Sequence, residues 1–196
     1  MPIIWMLAAQ IAAYYGVRLL PVLRDRITME TAIDEFIPFC PFFIVFYIAA
    51  YAQWGIHMVV MAQEEDAAFR RFFLADLFSK GICLICFILI PSTMERPAVR
   101  PAGVFSSIVY LIYSVDRPVN LFPSIHCMLA WLDMRTAMKA KRAPSFYTAL
   151  TVPFSLLVIV STVLVKQHVF IDTVAGILTA EAGLLFSSLV PGNKRI

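Results

Sequence analysis

Apolar runs separated by short polar connections set the pattern of this chain. A membrane-spanning helix needs about 20 mostly apolar residues. Six segments meet that length, near Ile3–Val22, Phe42–Met61, Phe72–Ile90, Leu121–Met138, Phe146–Val165 and His168–Leu189. The fourth is interrupted by Asp133 and Arg135. Between the third and fourth runs lies a longer connection, Pro91 to Asn120, rich in proline and carrying Arg96, Arg100 and Arg117. It holds one apolar piece, VFSSIVYLIYSV, placed to lie flat on the membrane or to re-enter it. The pattern predicts an all-α polytopic membrane protein: one domain over residues 1–196, a bundle of six transmembrane helices with a longer loop between spans three and four. The N-terminal MPIIWMLAAQ has no basic stretch before its apolar run, so it reads as a retained span and not as a cleaved signal peptide.

Composition agrees. Of 196 residues, 61% are hydrophobic and 15% charged, with a mean hydropathy of +0.81. Soluble domains carry about 45–50% apolar and about 25% charged residues. The excess is too large for a bigger core, because a small soluble domain must still cover its surface with polar groups. The net charge of +3 is small and scattered, which excludes a nucleic-acid-binding stripe. Cys83-x-x-Cys86 reads as two small apolar residues on a helix face, with no second pair to complete a metal site.

Loop charge sets the orientation. One face collects Arg70, Arg71, Lys80, Arg135, Lys139, Lys141, Arg142, Lys194 and Arg195. The other collects Arg24, Arg26, Arg96, Arg100, Arg117 and Lys166, with Arg18 nearby. The richer first face is expected to be cytoplasmic together with both termini, in a multi-pass protein of the cell membrane.

Six spans also place the reactive side chains. The end of span three, the start of four, the end of five and the start of six share one membrane face. There the chain puts Arg96, then Ser124 and His126, then Lys166, then His168 and Asp172. His168 and Asp172 are four apart and share a helix face. A carboxylate so placed fixes the imidazole tautomer and leaves the other ring nitrogen as nucleophile or base; the bland alternative is an interfacial histidine with a polar neighbour. In Asn120–His126 (NLFPSIH), Pro123 suits a helix start, and the turn after it presents free N–H groups and the Ser124 hydroxyl to an anion. His126 is placed to protonate a leaving oxygen. In ERPAVRP the arginines offer planar forks to phosphate oxygens, or else simply make a basic surface loop. A metal centre does not fit: His57 belongs near the opposite face, leaving two histidines and one aspartate without an H-E-x-x-H pattern. No cofactor is called for.

Together these motifs resemble the type 2 phosphatidic acid phosphatase superfamily, whose signature blocks are K-x6-R-P, P-S-x-H and S-R-x5-H-x3-D. Arg96-Pro97 resembles the end of the first, Pro123-Ser124-Ile125-His126 the second, and Ser161 with His168 and Asp172 most of the third. Two cations depart from the pattern: the expected lysine falls at Leu89, or Thr93 when counted from Arg100, and the expected arginine at Thr162. Asp116-x-Pro-x-Asn-x-Phe-Pro-Ser-x-His126 combined with Ser161-Thr162-x4-Gln167-His168-x3-Asp172 is similar to a branch near the inositol phosphorylceramide synthases.

The resemblance implies that His168 attacks phosphorus, held basic by Asp172, and forms a phosphohistidine, while His126 protonates the leaving lipid alcohol and then activates water. Arg96, Ser124 and Lys166 would hold phosphate oxygens without a metal, with Arg100 or Arg117 replacing a missing cation and Asn120 beside them. The implied partner is a lipid phosphate drawn from the bilayer, and the implied activity is hydrolysis of a phosphomonoester or pyrophosphate. Transfer to an alcohol acceptor would use the same residues. Two other readings compete. An intramembrane CAAX-type protease would use Phe122-x-x-x-His126 and His168-x-x-x-Asp172, but Glu64 and Glu65 fall on the wrong face and Arg70 is one residue too far. A non-enzymatic scaffold or transporter would carry the histidines incidentally. Asp76, Lys80, Asp133 and Glu181 read as structural.

Overall fold

The computed structural model describes residues 2–16 and 25–191. The end of the first expected span, and Arg18, Arg24, Lys194 and Arg195 of the charge tally, lie outside the described residues. The helices are α1 (Pro2–Ile11, continued by a wider turn, Ala12–Gly16), α2 (Ala32–Phe36), α3 (Ile44–Ala62, entered through the tight turn Pro41–Phe43), α4 (Asp66–Leu89), α5 (Val104–Val115), α6 (Ile125–Ala137), α7 (Ser145–Leu164) and α8 (Phe170–Leu189). Four of them are long and apolar enough to cross a membrane: Pro41–Ala62, α4, α7 and α8. The protein is a helical membrane protein.

The fourth expected span differs. Its helix is α6, 13 residues long, or about 20 Å at 1.5 Å per residue against a hydrocarbon core of about 30 Å. The residues before Ile125 are not helical: Ser124 is extended and acts as the N-cap, its Oγ accepting from the Cys127 N–H at 3.3 Å. Only Trp131 and Arg135 escape full burial, because α3, α4, α7 and α8 surround the helix. Within that enclosure Asp133 Oδ1 lies 3.8 Å from His57 Nε2. Arg135 pairs with Glu181 of α8, which also accepts the Trp131 indole N–H at 2.6 Å.

Lys80, counted above with the basic face, is instead buried inside the bundle. Its ammonium meets Asp76 Oδ2 at 2.7 Å, one helical turn away, and donates to the Met6 carbonyl at 3.1 Å, tying α1 to α4. Removing one member of such a pair strands a buried charge. Lys80→Ala is therefore expected to destabilise by about 3–5 kcal/mol. The apolar double replacement Asp76→Leu/Lys80→Met should recover most of that loss, as read from thermal unfolding in detergent. A single variant as stable as the wild type would contradict the assignment.

One end of the bundle carries the connections that build the site. Ile27–Thr28 (β1) pairs in parallel with Ser92–Thr93 (β2), and Thr93 also bridges Val119. The long connection folds into α5, twelve residues that bury Val109 against Ile44, Tyr47 and Val165 while leaving Val104, Leu111 and Val115 exposed. Backbone bonds knit this end together: Cys40 N–H to Leu164 O at 2.8 Å, Asn120 N–H to Ser92 O at 3.0 Å and Ser124 N–H to Asp172 O at 3.0 Å.

At the other end, the turn after α3 is closed by Glu64, whose carboxylate accepts the N–H groups of Lys141, Arg142 and Ala143 at 2.8–3.0 Å. Burial pushes that carboxyl up. The three N–H donors and the Arg142 charge outweigh it and hold Glu64 below the ordinary carboxylate range. His57 lies toward this end too, bonded to the Tyr147 hydroxyl at 2.7 Å and to Thr136 Oγ1 at 2.8 Å.

Candidate active site

His168 sits in the turn between α7 and α8. The Thr162 carbonyl accepts both the Gln167 and His168 N–H groups, at 2.9 and 3.1 Å, and fixes how the chain leaves α7. Asp172 occupies the first turn of α8, where one carboxylate oxygen takes the Val169 N–H at 3.2 Å and meets His168 Nδ1 at 3.3 Å. Asp172 is 1% exposed and His168 8%. The helical spacing expected from sequence thus becomes a buried, oriented pair, although His168 itself precedes the helix and is delivered by the turn.

The second histidine opens α6. Its ring centroid lies 6.1 Å from that of His168. Three aromatic rings of α3 box it: Tyr47 stacks at 4.2 Å, while Trp54 and Tyr51 meet it edge-on at 5.0 and 5.5 Å. Its Nε2 is buried with no hydrogen-bond partner. Between the rings runs a narrow cleft lined by Asp116, Arg117, Asn120, Ile125, Gln167 and both histidines. The first residues of α6 therefore face the cleft, and a helix N-terminus favours an anion. Reacting atoms approach to about 3–3.5 Å and a general acid works at about 2.6–3.2 Å, so both rings are within reach of one small group in the cleft, whose free space is ≈ 20 Å³.

The cations are arranged differently from expectation. Arg96 donates one terminal nitrogen to the Asp116 carbonyl and the other to Gln167 Oε1, and its guanidinium lies 4.6 Å over the Tyr113 ring. It stands behind the cleft wall and does not line the cleft. Lys166 lines the wider cavity that reaches His168, and its ammonium donates to the carbonyls of Asp34 at 2.9 Å and Ile37 at 2.7 Å, anchoring the end of α2. Arg100 is exposed on the loop before α5 and lines neither cavity that reaches His168. Arg117 is exposed at the cleft and lines it. Ser124 is fully buried, with its hydroxyl engaged in capping α6. Asn120 lines the cleft in a left-handed conformation, φ 57°, which asparagine tolerates better than most residues.

Four further residues shape the site. Ser92 Oγ accepts the Leu121 and Phe122 N–H groups at 2.9 and 2.8 Å and shapes the approach to α6. Tyr47 holds His126. Asp34 caps α8 through the Phe170 N–H at 2.7 Å and thereby lays residues 30–35 beside His168. Gln167 carries both Arg96 and a wall of the cleft. Of the four, only Gln167 stands in a sequence motif, the Ser161-Thr162-x4-Gln167-His168-x3-Asp172 pattern. On the other side of His168, Glu30, Asp34, Glu35, Glu95 and Lys166 help line a wider cavity of ≈ 420 Å³. Among the described residues, no group of three or more His, Cys, Asp or Glu side chains is suited to hold a metal ion.

A helical membrane protein with two histidines facing each other across a cleft at one end of its bundle is the class that fold and geometry define. The chain belongs to the PAP2 superfamily, whose family model matches residues 26–186, from the approach to β1 nearly to the end of α8. Membership carries phosphatase or phosphotransferase chemistry, and the superfamily is generally one of phosphatases. Comparison with curated proteins and with solved structures gives no match.

Proposed function

We propose that the protein hydrolyses a phosphomonoester or pyrophosphate on a membrane lipid, without a metal, through a phosphohistidine at His168. The observation that carries this reading is the Asp172–His168 pair facing His126 across the cleft. With Nδ1–H toward Asp172, Nε2 of His168 attacks phosphorus and the bond to the lipid oxygen breaks. His126 gives that oxygen its proton. His126 then takes a proton from water, whose oxygen attacks phosphorus, breaks the P–N bond and returns His168. The N-terminus of α6, Arg117 and Asn120 stabilise the charge on the phosphate oxygens.

The same reading places α1 and α6 with the four long helices as six membrane segments. The site faces outward from the cell membrane, and the turns bearing Glu64 and Lys141 lie in the cytoplasm with both termini. Transfer to an alcohol is the second reading. It is favoured by the ≈ 420 Å³ cavity beside His168, far larger than a water needs, and it would accord with the branch near the inositol phosphorylceramide synthases. The test is phosphate release by protein purified in detergent, from phosphatidic acid and a lipid diphosphate, in excess EDTA. Release is expected to persist. Strict dependence on a divalent metal would overturn the reading, and product lipids formed only with an added alcohol would select the second.

A further inference from the structure

We propose that Gln167 is a phosphate-binding residue, its side-chain amide donating an N–H to an oxygen of the transferred phosphate. The inference rests on the reading above and adds to it a neutral donor that works with Arg96. Gln167 is 1% exposed. Its backbone is fixed by the bond to Thr162 O, immediately before His168. Its Oε1 accepts from Arg96, and its Nε2 is buried with no partner while the residue lines the cleft with both histidines.

The orientation of the amide follows from chemistry. A guanidinium has donors and no acceptor, so the carbonyl of Gln167 must face Arg96 and the NH2 must face away from it. Buried polar groups are nearly always satisfied, and an orphan N–H at a cleft wall marks where a ligand oxygen completes it. Arg96 lines neither cavity, so its charge reaches the cleft through this amide: an arginine on the carbonyl oxygen polarises the N–H opposite and strengthens its bond to an anion.

The experiment measures inhibition by orthovanadate and by inorganic phosphate in the full-length protein, Gln167→Glu and Gln167→Met. Gln167→Glu keeps an oxygen on Arg96 and replaces the N–H with a second oxygen, so a purely structural role for Gln167 would survive it. The expected result is an inhibition constant raised about tenfold or more in both variants, as for loss of a hydrogen bond to a charged group. Thermal stability of Gln167→Glu should stay close to wild type. Either variant binding vanadate as tightly as wild type overturns the proposal. Should neither variant fold, wild-type protein labelled with nitrogen-15 on its glutamine amides decides: vanadate must shift a glutamine side-chain signal, and no shift overturns it. A wild type that neither releases phosphate nor binds vanadate brings down the proposed function itself, whereas an active wild type with unaffected variants removes only Gln167.

Discussion

Replacing His168 by alanine is expected to abolish phosphate release, with the protein still folded. The residue is 8% exposed and packs at the end of the bundle, so a small stability loss is anticipated, but catalysis should fall below detection because the covalent intermediate cannot form. Asp172→Asn gives the graded version. It leaves the shape of the pair and removes the charge that orients Nδ1, an effect on the order of 10²–10⁴ in rate where a carboxylate holds a catalytic histidine. The intermediate provides a direct readout. A phosphohistidine survives alkali and is lost in acid, so wild type quenched at high pH with labelled substrate should retain label on His168. His126→Ala should retain more of it with an activated aryl phosphate, whose leaving group needs no proton while water attack still needs a base. Label on His126, or phosphate release that persists in His168→Ala, would sink the assignment of the nucleophile.

The long helices and the pairing of His168 with Asp172 were readable from sequence because they are local. Apolar runs reveal long helices, and a histidine and an aspartate four apart share a face before any fold is known. What could not be read depends on partners distant in the chain. Lys166 announces a charge at a span's mouth, but its partners are the carbonyls of Asp34 and Ile37, some 130 residues earlier. Tyr47 looks like any aromatic in an apolar run until α3 lays it on His126. The length of α6 was hard to read for a different reason. Hydropathy does not distinguish a helix buried among helices from one facing lipid, and a 13-residue apolar helix belongs more often to the first kind. Its residues Asp133 and Arg135 were the visible warning.

The contact that brings the two histidines together has its own test, because it rests on the absence of a side chain. Gly176 of α8 lies against the start of α6, and a Cβ there would sit 2.5 Å from the Ser124 carbonyl oxygen and 3.1 Å from Cys127 Cβ. The obstacle is largely backbone, so it cannot rotate away; α8 itself must retreat. That movement strains the Ser124 N–H to Asp172 O bond and carries Asp172 and His168 away from His126. Gly176→Ala is therefore expected to destabilise by about 1–3 kcal/mol through overpacking and, separately, to lower turnover by about 10²-fold, the effect of a misplacement near 1 Å. Two comparisons separate these effects. At Gly55 and Gly81 an added Cβ meets nothing within 4 Å, and alanine there should be neutral or stabilising by up to about 1 kcal/mol, the helix-propensity difference. At Gly183 an added Cβ meets Ser79 Oγ and the Ala75 carbonyl on α4, remote from the cleft, so Gly183→Ala should lose stability while keeping more activity per folded molecule than Gly176→Ala. Thermal unfolding in detergent and turnover per folded protein read both quantities. A Gly176→Ala enzyme as stable and as fast as wild type would show that the close approach of α8 to α6 does not set the site.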